Sequence, residues 1–187
     1  MEEINPSKLL TQVTEVLDKL EIPYFITGGF AVSVWGRPRA TFDIDIVVNL
    51  IEPEVPKLAE MLRGISEFGY IDENTAKEAI KTNGEFNFID PDTGVKADFW
   101  VARDDEVAKE EYRRIKKKEI NGQEVCFISP EDLILSKLRW YKISPSSRHL
   151  EDVESILKIS GDILDKKYLL KQARKQGTWD TLNKYLN

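Results

Sequence analysis

Apolar residues recur at helical spacing through Leu9, Leu10, Val13, Val16, Leu17 and Leu20, which predicts an amphipathic helix over residues 6–20. Asn5 suits its N-cap and Pro6 its first turn. Tyr24-Phe25-Ile26-Thr27 is a short apolar run that ends at Gly28-Gly29, the pattern of a buried strand entering a tight turn. A short helix over residues 30–35 is expected next, stopped by Gly36. Asp43-Ile44-Asp45-Ile46-Val47-Val48 is β-branched and alternates at its start, so it reads as a strand. Val55, Leu58, Ala59 and Leu62 share one helical face within residues 53–62. Residues 66–84 carry a weaker pattern, with a short helix expected at 75–82.

Phe86 and Phe88, the turn residues Pro91-Asp92-Thr93-Gly94, and the alternation of Val95, Ala97, Phe99 and Val101 with Lys96, Asp98 and Trp100 predict a hairpin. A helix at 104–111 follows. Asn121-Gly122 between residues 115–120 and 125–128 marks a second hairpin. Beyond that the pattern is helical. Ser129 is an N-cap, Pro130 occupies the first position and Asp132 the capping-box position. Leu133, Ile134, Leu138 and Tyr141 line one face, Ser144-Pro145-Ser146-Ser147 breaks the helix, and further helices are expected at 147–159, 165–176 and 179–186. The organisation is a mixed α/β unit over residues 1–128 and a helical extension over residues 129–187.

At 187 residues, the chain fits one domain, or one with a small appendage. A single cysteine, Cys126, excludes an internal disulfide framework, and a single histidine, His149, excludes a multi-His metal site. The acidic start Met1-Glu2-Glu3 is unlike a signal peptide, and no run approaches the ~18 apolar residues of a membrane span. A cytoplasmic protein without membrane association is the expectation. Thirty-three acidic against 27 basic residues give a formal charge of -6, which argues against unspecific binding of duplex DNA. The chain is rich in carboxylates and poor in other catalytic groups, which favours metal-carboxylate chemistry over a nucleophilic triad.

Asp43 and Asp45 lie two apart on a strand and project from one face, while Ile44, Ile46 and Val48 anchor the other. Asp98 holds the equivalent place on a second strand. If the two strands pair, the three carboxylates meet across about 5 Å. Like charges so close are costly unless a cation neutralises them, and Mg²⁺ takes carboxylates together with phosphate oxygens and water. Gly28-Gly29, between a strand and a helix start, allows close backbone approach to a phosphate.

These blocks resemble a known family. Gly28-Gly29-Phe30-Ala31, then Gly36-Arg37-x-Arg39-x-Thr41-x-Asp43-Ile44-Asp45, then Lys96-Ala97-Asp98 resemble the DNA polymerase β-type nucleotidyltransferase superfamily. The Arg-x-Thr-x-Asp-Ile-Asp approach is most similar to bacterial nucleotidyltransferases of the AbiEii toxin type, and more loosely to CCA-adding enzymes. Lys137-Leu138 and Arg148-His149-Leu150-Glu151-Asp152 resemble the downstream Lys and Arg-Asp-x-x-Asp motifs of those proteins, with His149 where toxin members often carry Asp. The resemblance spans residues 24–157. It implies a mixed β-sheet flanked by helices, and transfer of a nucleoside monophosphate from a metal-bound nucleoside triphosphate, with ATP the expected donor and Mg²⁺ or Mn²⁺ the metal. It implies that Asp43, Asp45 and Asp98 hold the metal, that Asp98 helps activate an acceptor hydroxyl, that Gly28 and Gly29 cradle the triphosphate, and that Lys137 faces its phosphates. The acceptor it leaves open is a small molecule, tRNA or a protein, and an antitoxin-like partner is the other implied contact. A toxin–antitoxin component, or a nucleotide-binding module of this fold without turnover, is the alternative function.

Some of these residues have plainer readings. Arg37 and Arg39 are loop charges or phosphate ligands, and Thr41 is a β-former or a nucleotide contact. Lys137 is an exposed helical lysine or a phosphate ligand. Arg148 and Asp152, four apart, read as an ordinary helical ion pair. The basic run Arg113–Lys118 reads as a solvated strand, with tRNA guidance as its functional alternative.

Overall fold

A computed structural model describes residues 6–186 of the chain. The expected cap at Asn5 lies outside the described residues. Seven strands form one mixed sheet in the order β3-β4-β5-β2-β1-β7-β6. They are β1 (Tyr24–Ile26), β2 (Asp43–Val48), β3 (Tyr70–Ile71), β4 (Glu85–Asp90), β5 (Val95–Val101), β6 (Lys116–Ile120) and β7 (Gln123–Phe127). The β2–β5 and β1–β7 pairs are parallel and the other four antiparallel. This is the expected α/β class. The β4–β5 and β6–β7 hairpins turn at Thr93-Gly94 and Asn121-Gly122, where Asn121 (φ 51°) and Gly122 (φ 81°) adopt the left-handed geometry that such tight turns require.

The chain divides into two compact units, one of residues up to Phe30 with Ala40–Phe127, the other of Ala31–Arg39 with the residues from Ile128 onward. In the first, helices α1 (Pro6–Lys19), α3 (Val55–Arg63) and α4 (Glu73–Thr82) pack on the sheet. Their apolar stripes, Leu10, Val13 and Leu17 on α1 and Leu58 and Leu62 on α3, are fully buried, as are Ile44, Ile46, Val48, Ala97 and Phe99 of the sheet. Phe86 and Phe99 stack across β4 and β5 with centroids 4.9 Å apart. On β2 burial alternates residue by residue, with the aspartates on the more open side. The strand thus has one face committed to the core and one available for chemistry. Helix α5 (Glu106–Arg113) sets Tyr112 edge-on against Phe25.

In the second unit α6 (Pro130–Ile143), α7 (Ser147–Ser160) and α8 (Lys166–Lys175) pack together. Ser129 caps α6 as expected: its Oγ accepts from the Asp132 backbone N–H at 3.1 Å, and its hydroxyl donates to the Asp132 carboxylate at 2.6 Å. The Trp35 indole N–H donates to the Ile128 carbonyl, tying residues 31–39 to this unit. Among the described residues no helix is long and apolar enough to cross a membrane.

Two expectations are corrected. The second helix, α2 (Gly28–Trp35), takes in both glycines and does not wait until residue 30, with the corner at Gly28. Residues 179–186 hold only the short α9 (Trp179–Leu182) followed by a 3₁₀ turn. The helix expected at 75–82 forms as α4, and the same weakly patterned stretch also contains β3, whose two residues are too few to display a period.

Candidate active site

Helix α2 starts where β1 stops, and Gly28 supplies the corner with φ +59°, a conformation disfavoured for any residue with a Cβ. A Cβ there would also collide with the carboxylate of Asp45, so the Asp45 side chain lies directly against the Gly28 backbone. The backbone N–H of Thr27 donates to the Asp45 carbonyl at 2.9 Å, locking the end of β1 to β2. Gly29 is buried in the first turn of α2.

The parallel register of β2 and β5 sets Asp43 opposite Lys96 and Asp45 opposite Asp98. All four side chains leave the sheet on the same face, because each strand alternates and the intervening Ile44 and Ala97 are fully buried. The Lys96 ammonium donates to Asp98 Oδ2 at 2.8 Å and lies 3.8 Å from Asp43 Oδ1. Its pKa is raised, chiefly by the hydrogen bond to Asp98. Asn87 on β4 stands opposite Asp98. Thr41 sits just ahead of β2 and its hydroxyl donates to the Asp43 carbonyl at 3.1 Å, bracing the entry of the strand.

Among the described residues no three His, Cys, Asp or Glu side chains stand grouped as a finished metal cage. The donor chemistry nevertheless fits a hard divalent cation: three carboxylates on one sheet face, two of them directly opposed, with an ammonium drawn in among them. Mg²⁺ does not demand an all-protein cage, since it keeps waters and takes substrate phosphate oxygens.

Arg39 and Lys137 belong to the second unit, where both reach one carboxylate. Arg39 Nε and Nη2 donate to the two oxygens of Asp152, each at 3.3 Å, and Lys137 Nζ lies 2.8 Å from Oδ2. The plain readings of Lys137 and Asp152 are therefore corrected. Lys137 is not an exposed helical lysine, for it is only 8% exposed, and Asp152, 4% exposed, is held by Lys137 and Arg39 rather than by an ordinary i,i+4 pair with Arg148. The signal was present in the sequence: Asp152 shares a helical stripe with Ile156, and Lys137 stands beside Leu138 and Ile134. Opposite charges set into two apolar stripes must find each other. His149, one turn before Asp152, has a buried Nδ1 without a hydrogen-bond partner. Its pKa is lowered, first by burial and then by the nearby Lys137 charge. Lys96 and Asp152 are the two residues whose contacts the sequence reading missed.

A profile of the family described as nucleotidyl transferase AbiEii toxin, of type IV toxin–antitoxin systems, matches residues 12–183. A comparison with curated proteins finds no match. Among solved structures, the solution structure of the antibiotic-resistance factor ANT(2'')-Ia resembles the chain with a TM-score of 0.63 at 16% identity, over 96% of this chain and 95% of that one. A crystal structure of ANT(2'')-Ia in complex with adenylyl-2''-tobramycin gives 0.60 at 18% identity, over 91% and 97%. The lincomycin-bound lincosamide antibiotic adenylyltransferase LnuA gives 0.56 at 14% identity, over 81% and 96%. At such low identity these are likenesses of fold. With a profile match along nearly its whole length and a sheet of that architecture, the chain belongs to the AbiEii nucleotidyl transferase toxin family.

Proposed function

We propose that this protein transfers a nucleoside monophosphate from a nucleoside triphosphate to an acceptor hydroxyl and releases pyrophosphate. The observation that carries the reading is the parallel register that sets Asp45 beside Asp98, with Asp43 on the same face and the Gly28 backbone against Asp45. Asp43, Asp45 and Asp98 would hold a divalent metal, Mg²⁺ or Mn²⁺. When bound, that metal supplies neutralisation of phosphate charge and alignment for in-line displacement.

The chain's own residues then have separable tasks. Gly28 and Gly29, at the first turn of α2, offer a backbone without side chains against which a triphosphate can lie. Asp98 accepts a hydrogen bond from the acceptor hydroxyl and takes its proton as the hydroxyl oxygen bonds to the α-phosphorus. The bond from that phosphorus to the bridging oxygen breaks, and the electron pair leaves with pyrophosphate. Thr41 braces Asp43 through its backbone. The family resemblance assigns Arg39 and Lys137 as cations for the phosphates; within the second unit both are paired with Asp152. Catalysis of this kind is chiefly positioning and charge stabilisation.

ATP is the expected donor. The solved relatives include enzymes with antibiotics bound, which supports a small hydroxyl compound as acceptor. Family membership supports an antitoxin partner. A macromolecule, tRNA or a protein, is the other acceptor class. The domain assignment that fits this division of labour is a transferase core over residues 1–128 and a helical extension over residues 129–187. Calorimetric titration with a non-hydrolysable ATP analogue tests the reading. Binding in Mg²⁺ that EDTA and Asp43→Asn each remove supports it. No binding of any of the four nucleotides refutes it and leaves a partner-binding module of the same fold.

A further inference from the structure

If Asp43, Asp45 and Asp98 hold the metal of nucleotidyl transfer, the reading on which the role of Lys96 rests, that lysine is a cation in direct contact with them and still without a task. Lys96 stands two residues before Asp98 on β5 and opposite Asp43 across the β2–β5 pair. Its ammonium is 2.8 Å from Asp98 Oδ2 and 3.8 Å from Asp43 Oδ1, so it bridges two of the three carboxylates. Without it, three like charges would share one face, two of them directly opposed. Asp98 needs the counterion most, because its side chain is 15% exposed while that of Asp43 is 55% exposed. Lys96, at 41%, keeps a route to solvent along its flexible stem.

We infer that Lys96 is a built-in counter-cation that neutralises Asp98 and Asp43 in the free protein and competes with the divalent metal for them. Mg²⁺ binds carboxylate oxygen at about 2.1 Å, so an ammonium and a divalent ion on one carboxylate repel each other at short range. The ammonium must swing away as the metal enters. A metal arriving with a triphosphate brings anionic oxygens that can receive the released ammonium, whereas a metal arriving alone brings none. Lys96 therefore keeps metal affinity low until nucleotide is present, while holding β2 and β5 together in the meantime.

The test is Mn²⁺ binding to the full chain without nucleotide, read from the electron paramagnetic resonance signal of free Mn²⁺. Wild type, Lys96→Met, Lys96→Arg and Asp98→Asn are compared, each first shown by circular dichroism to be folded. For a partly exposed pair the expected gain is about threefold to fivefold tighter Mn²⁺ binding by Lys96→Met. Lys96→Arg, which keeps the charge, stays within about twofold of wild type. In EDTA, Lys96→Met melts below wild type, and Mn²⁺ raises its melting temperature by more than it raises that of wild type. Unchanged or weaker Mn²⁺ binding by Lys96→Met, with binding still dependent on Asp98, overturns the counter-cation role and leaves the proposed function standing. Mn²⁺ binding in the presence of an ATP analogue that survives Asp98→Asn overturns the metal assignment and this inference together.

Discussion

Replacing Asp152 by Asn removes the one negative charge that Lys137 and Arg39 share while keeping the shape of the side chain. The Lys137 side chain, 10% exposed, is then left buried with no carboxylate. At the 2.8 Å separation seen here, a unit charge pair attracts by about 6 kcal/mol at an effective dielectric of about 20. Most of that attraction offsets the desolvation of the two ions, but removing one partner leaves the other's penalty uncompensated, and breaking such buried pairs costs about 3–5 kcal/mol. Arg39 adds less, because its side chain is 26% exposed and can turn to water. Urea unfolding should therefore place Asp152→Asn about 3–5 kcal/mol below wild type with an unchanged m-value. That is a large part of the roughly 5–15 kcal/mol of an ordinary domain. Lys137→Met in the Asp152→Asn background should recover about 2 kcal/mol, since the orphaned ammonium is gone. A loss below about 1 kcal/mol, or a double-mutant coupling under about 0.5 kcal/mol, would refute the buried pair as the organiser of this unit.

Gly28→Ala and Gly122→Ala both place a Cβ at positive φ, but only at Gly28 does that Cβ meet another group, the Asp45 side chain. Thermal or urea melts should show about 1 kcal/mol lost at Gly122 and at least twice that at Gly28; equal losses would refute the collision. Asp98→Asn should abolish label transfer from a radioactive nucleoside triphosphate and shift stability by less than about 1 kcal/mol, because it relieves the opposition to Asp45 while loosening Lys96; near-normal turnover would sink the catalytic assignment. His149 is the sole histidine, so its imidazole proton resonance can be followed without overlap. Its midpoint should fall below the ordinary 6.5. With the folded value depressed, the unfolded chain takes up its proton first as pH falls. The His149 contribution to stability is thus complete above about 6.5 and is lost as pH falls from there to the folded midpoint, and His149→Gln should flatten that window. A midpoint at or above 6.5 would refute the buried setting of the ring.

The strands that build the candidate site were legible because each has one face in the core. Ile44, Ile46 and Val48 alternate with Asp43, Asp45 and Val47, and Val95, Ala97, Phe99 and Val101 with Lys96, Asp98 and Trp100, so side-chain direction followed from period alone. Asn121-Gly122 and Ser129-Pro130 marked a hairpin and a helix start through local backbone chemistry, which needs no distant partner. Short elements were less legible. β3 has two residues and owes its existence to pairing with β4, and the first turn of α2 runs through two glycines that locally favour a turn.

The sequence by itself determined the α/β class, the strand faces and the identity of the carboxylates, because periodicity and turn chemistry act within a few residues. Only the tertiary structure decided which strand lies beside which and in what register, and so that Asp45 opposes Asp98 while Lys96 opposes Asp43. It also decided that Asp152, Lys137 and Arg39, distant in the chain, form one buried charge cluster. Pairings of this kind depend on which groups desolvate together. Spacing along the chain sets Asp152 and Lys137 on apolar stripes, but which partner each meets is a property of the folded packing.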